Sequence, residues 1–542
     1  MTHPESAAVK PAHSAHAPWW KGATIYQIYP RSFMDSNGDG IGDLPGITSR
    51  LDYVADLGVD AIWLSPFFKS PMHDFGYDVS DFSAVDPIFG SLDDFDALIE
   101  KAHKLGLKVI IDQVYSHSSD QHAWFTESRS SRDNEKADWY VWADPKADGS
   151  PPNNWQSIFG GPAWAWDARR QQYYFHNFLT QQPDLNLHCP AVQDALLDTS
   201  RFWLDRGVDG FRIDAVLHMM HDPALTDNQP TMNNHKVKTR SHDFQNNVYN
   251  QGHPAIFDFL SRLRSVTDEY EGRFTVAEVG GTAPDEFMKK CAAGNDRMHS
   301  AYSFDFLYAE KLTPDLICSS LAKWEEADGT GWPTWAFENH DAPRAVSRWT
   351  GPEYRSAFAQ MKMALITMLR GNIILYQGEE LGLTQVDIPF ELVQDPEALR
   401  NWPLTLSRDG ARTPMPWEAE SHNAGFGSGE TWLPLGEDHI AMAVDRQNAD
   451  AASMLNLTRR LIALRNQIPA LRAGNIAKCD AQGDLLELVR EHDGTQISCL
   501  FNMGTGSIDI AAHNIDPQDI LIAPGGSSAA SLPAFGFIIG KI

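Results

Sequence analysis

The chain has 542 residues, too many for one simple core at a prior of about 150 residues per domain, although an α/β barrel stretches that figure. Its 42% hydrophobic and 21% charged residues suit a soluble globular protein. A formal net charge of −28 argues against nucleic acid or an anionic membrane as a partner and favours a neutral or cationic small substrate.

The opening "MTHPESAAVKPAHSAHAPWW" has no basic n-region and no apolar h-region, so it reads as a disordered tail over 1–18 rather than a secretory signal. No run approaches 18 apolar residues, so no membrane helix is expected, and the expected location is cytoplasmic. Cys189, Cys291, Cys318, Cys479 and Cys499 are odd in number and lack CxxC spacing, which predicts unpaired thiols in a reducing compartment and no zinc site.

Eight apolar, β-branched runs follow: 23–30, 59–68, 107–117, 208–216, 273–279, 301–306, 334–341 and 372–382. Between them lie segments with i, i+3, i+4 apolar spacing that end at glycine, such as 47–58, 92–106 and 354–371. Eight such alternations predict an α/β fold, a closed (β/α)8 TIM barrel, over 19–117 and 187–471. The long gap after the third run, 118–186, is rich in tryptophan and reads as an inserted lid subdomain over the barrel mouth. A second insert spans about 383–450, and 472–542, with short alternating runs among Gly, Ser and Asp, reads as a C-terminal antiparallel β-sandwich domain.

Between the first two runs, "DSNGDGIGD" sets Asp35, Asn37, Asp39, Ile41 and Asp43 at positions 1, 3, 5, 7 and 9 of a calcium-type loop, with Gly40 at the turn. Position 12 is Gly46 rather than Glu, so this is no EF-hand; hard oxygen ligands imply Ca²⁺ or Mg²⁺, and the alternative is a solvated acidic turn.

The fourth run, "VDGFRIDAV", carries two charges, Arg212 and Asp214, on one face of an otherwise apolar strand. A buried charge is costly unless paired or employed. Residues at the C-terminal ends of barrel strands face the active site, and Asp112, His117, Glu278, Asn339, His340 and Asp341 fall at such ends too. Asp214, Glu278 and Asp341 thus converge, which suits glycosidic chemistry: one carboxylate attacks the anomeric carbon and a second protonates the leaving oxygen. Arg212 would keep Asp214 ionised and oriented. GxxxxGK[ST], HExxH and GxSxG motifs do not occur, and no organic cofactor is expected.

The ordered motifs "DQVYSH", "GFRIDAV", "VAEVGG" and "FENHD", with "QPDLN" and "SRDGARTPMPW", resemble the α-amylase family, glycoside hydrolase family 13, and within it the oligo-1,6-glucosidase and α-glucosidase branch. The resemblance implies Asp214 as nucleophile, Glu278 as general acid/base and Asp341 as transition-state stabiliser. It sets Arg212, His117 and His340 around the sugar in the −1 subsite, with Tyr77 as its stacking platform and Asp74 as a hydroxyl acceptor. Arg408, rather than Arg412, is expected to pair with Asp74, and Phe159 and Phe178 to wall the pocket. Closing that end would make the enzyme a retaining, exo-acting α-glucosidase, working through a covalent glucosyl-enzyme and open to transglucosylation. Ser116 replaces an asparagine that binds calcium in many amylases, which leaves the Asp35–Asp43 loop as the metal site. Ala215 stands where relatives acting on α-1,6 bonds have valine, which tilts the reading to α-1,4 substrates such as maltose.

The implied partner is a small α-glucoside, with no nucleic acid and no membrane; monomer and homo-oligomer stay open. The alternatives are a sucrose isomerase or trehalose synthase type of glucosyl transferase, an oligo-1,6-glucosidase, and, more remotely, a non-catalytic transporter-associated relative, from which the retained carboxylates and the missing anchor distinguish this chain.

Overall fold

The computed structural model describes residues 18–232, 238–280, 284–325, 331–405, 407–513 and 515–542, so nearly all of the tail expected over 1–18 lies outside the described residues. Each of the eight apolar runs contributes one strand of a closed parallel barrel: β1 (Thr24–Ile28), β2 (Ala61–Leu64), β3 (Lys108–Gln113), β4 (Gly210–Ile213), β5 (Phe274–Val279), β6 (Ser300–Ser303), β7 (Trp332–Ala336) and β8 (Asn372–Tyr376). The ring closes where Ile25 pairs with both Ala61 and Ile374.

The period of two sorts the strand residues into two layers. Tyr26, Ile62, Ile111, Phe211, Ile213, Ala277 and Ile373 point outward into the core shared with the helices. Ile25, Trp63, Ile110, Phe274, Val276 and Ile374 fill the barrel axis. Further along the same inward parity the residues turn polar: Gln27, Asp112, Arg212, Asp214 and Glu278. The barrel is therefore packed with hydrocarbon at its base and charged at its mouth. At Gly210 the carbonyl of Phe274 on β5 comes so close that a Cβ would collide with it, which keeps β4 and β5 tightly paired below Arg212.

The surrounding helices are α1 (Leu44–Asp56), α2 (Leu92–Leu105), α3 (Pro190–Asp205), α4 (Ile256–Thr267), α5 (Pro284–Cys291), α6 (Pro314–Glu325), α7 (Arg355–Met368) and α8 (Met454–Gln467). Helix α2 shows how sequence sets its limits: Ser91 and Asp94 form a capping box, and Gly106, at φ 82°, ends it. Helix α1 begins three residues before its apolar pattern, because Asp43 caps it by accepting from Gly46 N and Pro45 follows in its first turn.

The insert after β3 carries a three-stranded antiparallel sheet, Trp142–Ala143, Trp164–Asp167 and Gln172–Phe175. Trp155 and Trp164 are buried in its own core, so they hold the subdomain together rather than face a ligand. The C-terminal region forms a five-stranded antiparallel sheet, its second hairpin turning at Asp493-Gly494, both at positive φ, beside a two-stranded sheet.

The expectation of five unpaired thiols is corrected. Cys318 on α6 and Cys479 on the first C-terminal strand are disulfide-bonded across 161 residues, tying the last domain to the barrel, while Cys189, Cys291 and Cys499 are free. An odd total is compatible with one bridge, and two cysteines so far apart carry no spacing signal. Among the described residues no helix is long and apolar enough to cross a membrane.

Candidate active site

The two charges of β4 anchor the site. Arg212 Nη1 donates to Asp112 Oδ1 on β3 and to Asp214 Oδ1, each at 2.6 Å, and Nη2 contacts Glu278 Oε1 on β5. Its Nε donates to Tyr302 Oη on β6 at 3.1 Å, and the guanidinium lies 5.0 Å from the Trp63 ring. One buried cation thus serves three buried carboxylates, so the group carries surplus negative charge. Burial raises the Asp112 carboxyl to about 7 despite Arg212, and it raises Asp214 well above the ordinary carboxylate range, with Arg212 again opposing.

Immediately beyond Asp214 the chain turns through Ala215 at φ 44°, a left-handed conformation uncommon outside glycine. That turn aims the Ala215 N–H at Glu278, whose Oε2 accepts it at 2.9 Å. Backbone strain at this one residue therefore joins the two carboxylates of β4 and β5.

Asp341, in the loop after β7, sits in a different field. Its Oδ1 accepts from Arg408 Nη1 at 3.1 Å and Arg412 Nη2 at 2.9 Å, and Oδ2 lies 3.2 Å from His340 Nε2. Burial works to raise its pKa, but His340, Arg408 and Arg412 hold it below the usual range. Burial also lowers His340 to about 3, so the ring is neutral. With Gln27 Nε2 donating to Nδ1 at 2.8 Å, the ring proton sits on Nε2, beside Tyr77 Oη at 2.6 Å.

Arg408 closes one end of the site. Its Nη2 donates to Asp74 Oδ1 at 3.1 Å, while Asp395 takes Nη2 at 2.8 Å and the Arg408 main-chain N–H at 2.8 Å. Gln182 Nε2 donates to the other Asp74 oxygen at 3.1 Å. Burial raises Asp74 to about 6 against the pull of Arg408 and Arg412. His117, lowered to about 4 by burial, donates from Nε2 to the Tyr77 carbonyl at 3.1 Å.

These groups share one cavity of about 840 Å³. Asp74, Tyr77, His117, Phe159, Phe178, Asp214, Glu278, Asp341 and Arg408 line it. Arg212 and His340 lie just beneath, 1% and 0% exposed, and act on the cavity through the carboxylates and Tyr77. The expected choice of Arg408 over Arg412 for Asp74 agrees with the geometry; Arg412 grips Asp341 and the His340 carbonyl instead. Asp395, Gln182 and Tyr302 also hold the site, although sequence reasoning gave none of them a part in it. Gln182 stands in the flagged "QPDLN", whereas Asp395 shows only an Asp-Pro helix-start signal.

The Asp35–Asp43 loop lies apart from this cavity and is closed by its own hydrogen bonds. Asp35 Oδ1 accepts from Asn37 N and Gly38 N, Oδ2 from Gly40 N, and Asp39 Oδ1 from Ile41 N. Asp43 accepts from Ser36 and caps α1.

A carboxylate trio fixed by arginines at the C-terminal mouth of a (β/α)8 barrel marks the barrel enzymes that cleave bonds between sugars. Residues 27–474 match the family described as alpha amylase, catalytic domain. A probable alpha-glucosidase of Rhizobium meliloti (strain 1021) is 51% identical over 492 residues, covering 90% of this chain and 89% of that one. The oligo-1,6-glucosidase of Parageobacillus thermoglucosidasius is 38% identical over 480 residues, covering 83% and 84%. Among solved structures, the alpha-glucosyl transfer enzyme XgtA superposes with a TM-score of 0.92 at 48% identity, covering 97% and 100%. The chain belongs to the α-amylase family, glycoside hydrolase family 13, and is a glycoside hydrolase of its α-glucosidase branch.

Proposed function

We propose that the chain is a retaining, exo-acting α-glucosidase that removes terminal α-1,4-linked glucose from maltose-like substrates. The observation that carries this reading is the pairing of Asp74 with Arg408 in the wall of the same cavity that Asp214 and Glu278 line. Asp214, oriented by Arg212, attacks the anomeric carbon. Glu278, held by the Ala215 N–H, gives its proton to the leaving oxygen and then takes one from water as the glucosyl-enzyme is hydrolysed. Asp341, kept ionised by two arginines, grips sugar hydroxyls and balances the oxocarbenium charge. A sugar hydroxyl in place of that water gives transglucosylation, and the similarity to a glucosyl transfer enzyme supports this second outcome.

Incubation with maltose, isomaltose and sucrose, with products identified and the first-formed anomer read by NMR, tests the proposal. Free glucose from maltose faster than from isomaltose is expected; β-glucose as first product from an aryl α-glucoside, whose only glucose is the transferred unit, would rule out retention.

The Asp74 charge adds a pH signature. Below about pH 6 Asp74 takes a proton, so Arg408 loses a partner and the sugar loses an acceptor. The pH profile of kcat/KM is expected to fall as pH drops through about 6, and Asp74→Asn to lack that inflection. An inflection unmoved in the variant would assign it to another group.

The Asp35–Asp43 loop fits a hard cation, Ca²⁺ or Mg²⁺. Its acids are oxygen donors, Asp35 and Asp43 are each 3% exposed, and no ion pair among the described residues offsets them. No three His, Cys, Asp or Glu side chains converge as a metal cluster among the described residues, so a cation here would have to draw on Asn37 and the Ile41 carbonyl as well. A cation at a hundred times its Kd adds about 2.7 kcal/mol of stability. Chelator treatment is therefore expected to lower the melting temperature and added calcium to restore it; an indifferent melting curve would leave the loop a plain acidic turn.

A further inference from the structure

Behind the cavity wall, and lining no part of it, lies a second group of buried charges. Glu338, on the loop after β7, meets Lys362 of α7 at 2.6 Å and Arg344 at 3.2 Å. Lys362 also reaches Glu379, just after β8, at 2.8 Å. All four are at most 1% exposed, and two cations face two carboxylates, so the group is neutral as a whole. Burial works to raise the Glu338 carboxyl, but Lys362 and Arg344 hold it below the usual range. A buried ion pair replaced whole by apolar groups often leaves stability unchanged or improved, whereas removal of one partner is costly. Stability alone therefore does not account for the group.

Its connections run to Asp341 and to the arginines that keep it ionised. Asp341 lies beyond the end of β7 and its ladder, with Glu338 three residues before it and Arg344 three after. The Glu338–Arg344 pair closes this loop on itself, and inside it Asn339 Oδ1 accepts from the Asp341 and Ala342 main-chain N–H groups, each at 2.9 Å. Arg344 then reaches two carbonyls outside the loop: Nη1 donates to Gln377 O at 2.8 Å and Nη2 to Ala411 O at 3.1 Å. Ala411 ends the turn Arg408–Ala411 and precedes Arg412, and Tyr376 Oη donates to the same carbonyl at 3.1 Å. One guanidinium, 4.4 Å from the Tyr376 ring, is thus bonded both to the loop that carries Asp341 and to the turn that carries Arg408 and Arg412.

We propose that Arg344 is a positioning residue for the reaction: locked by Glu338 and Lys362, it sets the Asp341 loop and the Arg408–Arg412 turn at the separation that lets Asp341 stabilise the transition state. The proposal rests on the α-glucosidase reading and adds how its third carboxylate is placed. A misplacement of about 1 Å by a residue remote from the chemistry can cost about a hundredfold in rate. An interaction used mainly in the transition state lowers kcat rather than binding when it slackens.

The test compares kcat and KM on 4-nitrophenyl α-glucoside for the wild type, Arg344→Met and the charge-balanced Glu338→Gln/Arg344→Met. In the double variant Lys362 keeps Glu379, and Gln can still accept from the Ala345 N–H. Arg344→Met is expected to melt below the wild type and the double variant to regain most of that loss. Its kcat is expected to stay at least about tenfold below the wild type, with KM within about threefold. A smaller loss of kcat, or a loss carried by KM, would overturn the proposal, because a purely structural group returns activity together with the fold. Should the double variant not regain its fold, as read by circular dichroism and melting, Arg344→Lys is held to the same limits; it keeps a charge beside Glu338 but cannot span Gln377 O and Ala411 O together. A wild type that releases no glucose from the aryl glucoside would sink the α-glucosidase reading itself, whereas an active wild type with a fully active double variant would sink only the role of Arg344.

Discussion

Asp214→Asn is expected to lower kcat on 4-nitrophenyl α-glucoside by at least about a thousandfold, the scale on which removing a covalent nucleophile acts. Asn has nearly the volume of Asp and can still accept from Arg212 Nη1, so the packing around β4 should survive while the attacking charge is gone. Removing that charge also takes one carboxylate from three around a single guanidinium, which favours stability or leaves it unchanged. The variant should therefore melt no lower than the wild type and still bind glucose at the Asp74–Arg408 end. A shortened variant, Asp214→Ala, opens room for an external nucleophile: azide should restore turnover of the aryl glucoside and yield glucosyl azide of inverted configuration. Wild-type-like turnover in Asp214→Asn, or azide rescue with retained configuration, would move the nucleophile elsewhere.

The barrel was legible because each strand writes its two faces into alternate residues. Phe211 and Ile213 against Arg212 and Asp214 is the plainest case, and the structure sends the first pair to the helices and the second to the mouth. Asp214 and Glu278 were legible for the same reason, each falling where a strand ends, whereas Asp341 lies in the loop beyond β7. What escaped comes from loops, which have no period. Arg412 reaches the His340 carbonyl across 72 residues and Asp395 holds Arg408 across 13, and neither separation follows from spacing. Tyr302 escaped for another reason: in "AYSFDF" it shares a parity with Phe304 and Phe306, so it reads as a plain apolar face rather than as a hydroxyl turned toward Arg212. The disulfide joins a helix to a strand 161 residues away, where only the folded chain brings the sulfurs together. The metal-type spacing and the cap of α1 coincide in Asp43, and the role the structure shows for it is the cap.

Arg212→Met should cost both activity and fold, with a characteristic pH dependence. The guanidinium is 1% exposed and serves Asp112, Asp214 and Glu278 together; breaking a buried pair by removing one partner typically costs about 3–5 kcal/mol. Methionine fills similar space against Trp63 but supplies no donor, so the carboxylates are left facing one another. Burial already raises Asp112 to about 7 and Asp214 well above its ordinary range with Arg212 in place, and losing its charge pushes both higher. An acid whose folded pKa is raised adds stability below its unfolded pKa, near 3.9, and loses that contribution as pH rises through the folded value. The deficit of Arg212→Met against the wild type should therefore be largest well above pH 7 and shrink as pH falls to about 7, below which Asp112 is protonated in both proteins. Melting temperatures at pH 5 and pH 8 read this directly. Adding Asp112→Asn to Arg212→Met removes one stranded charge and should recover part of the loss at pH 8 and little at pH 5. A deficit equal at both pH values would mean that Arg212 holds the barrel mouth by packing alone, not by balancing the charges beneath the sugar.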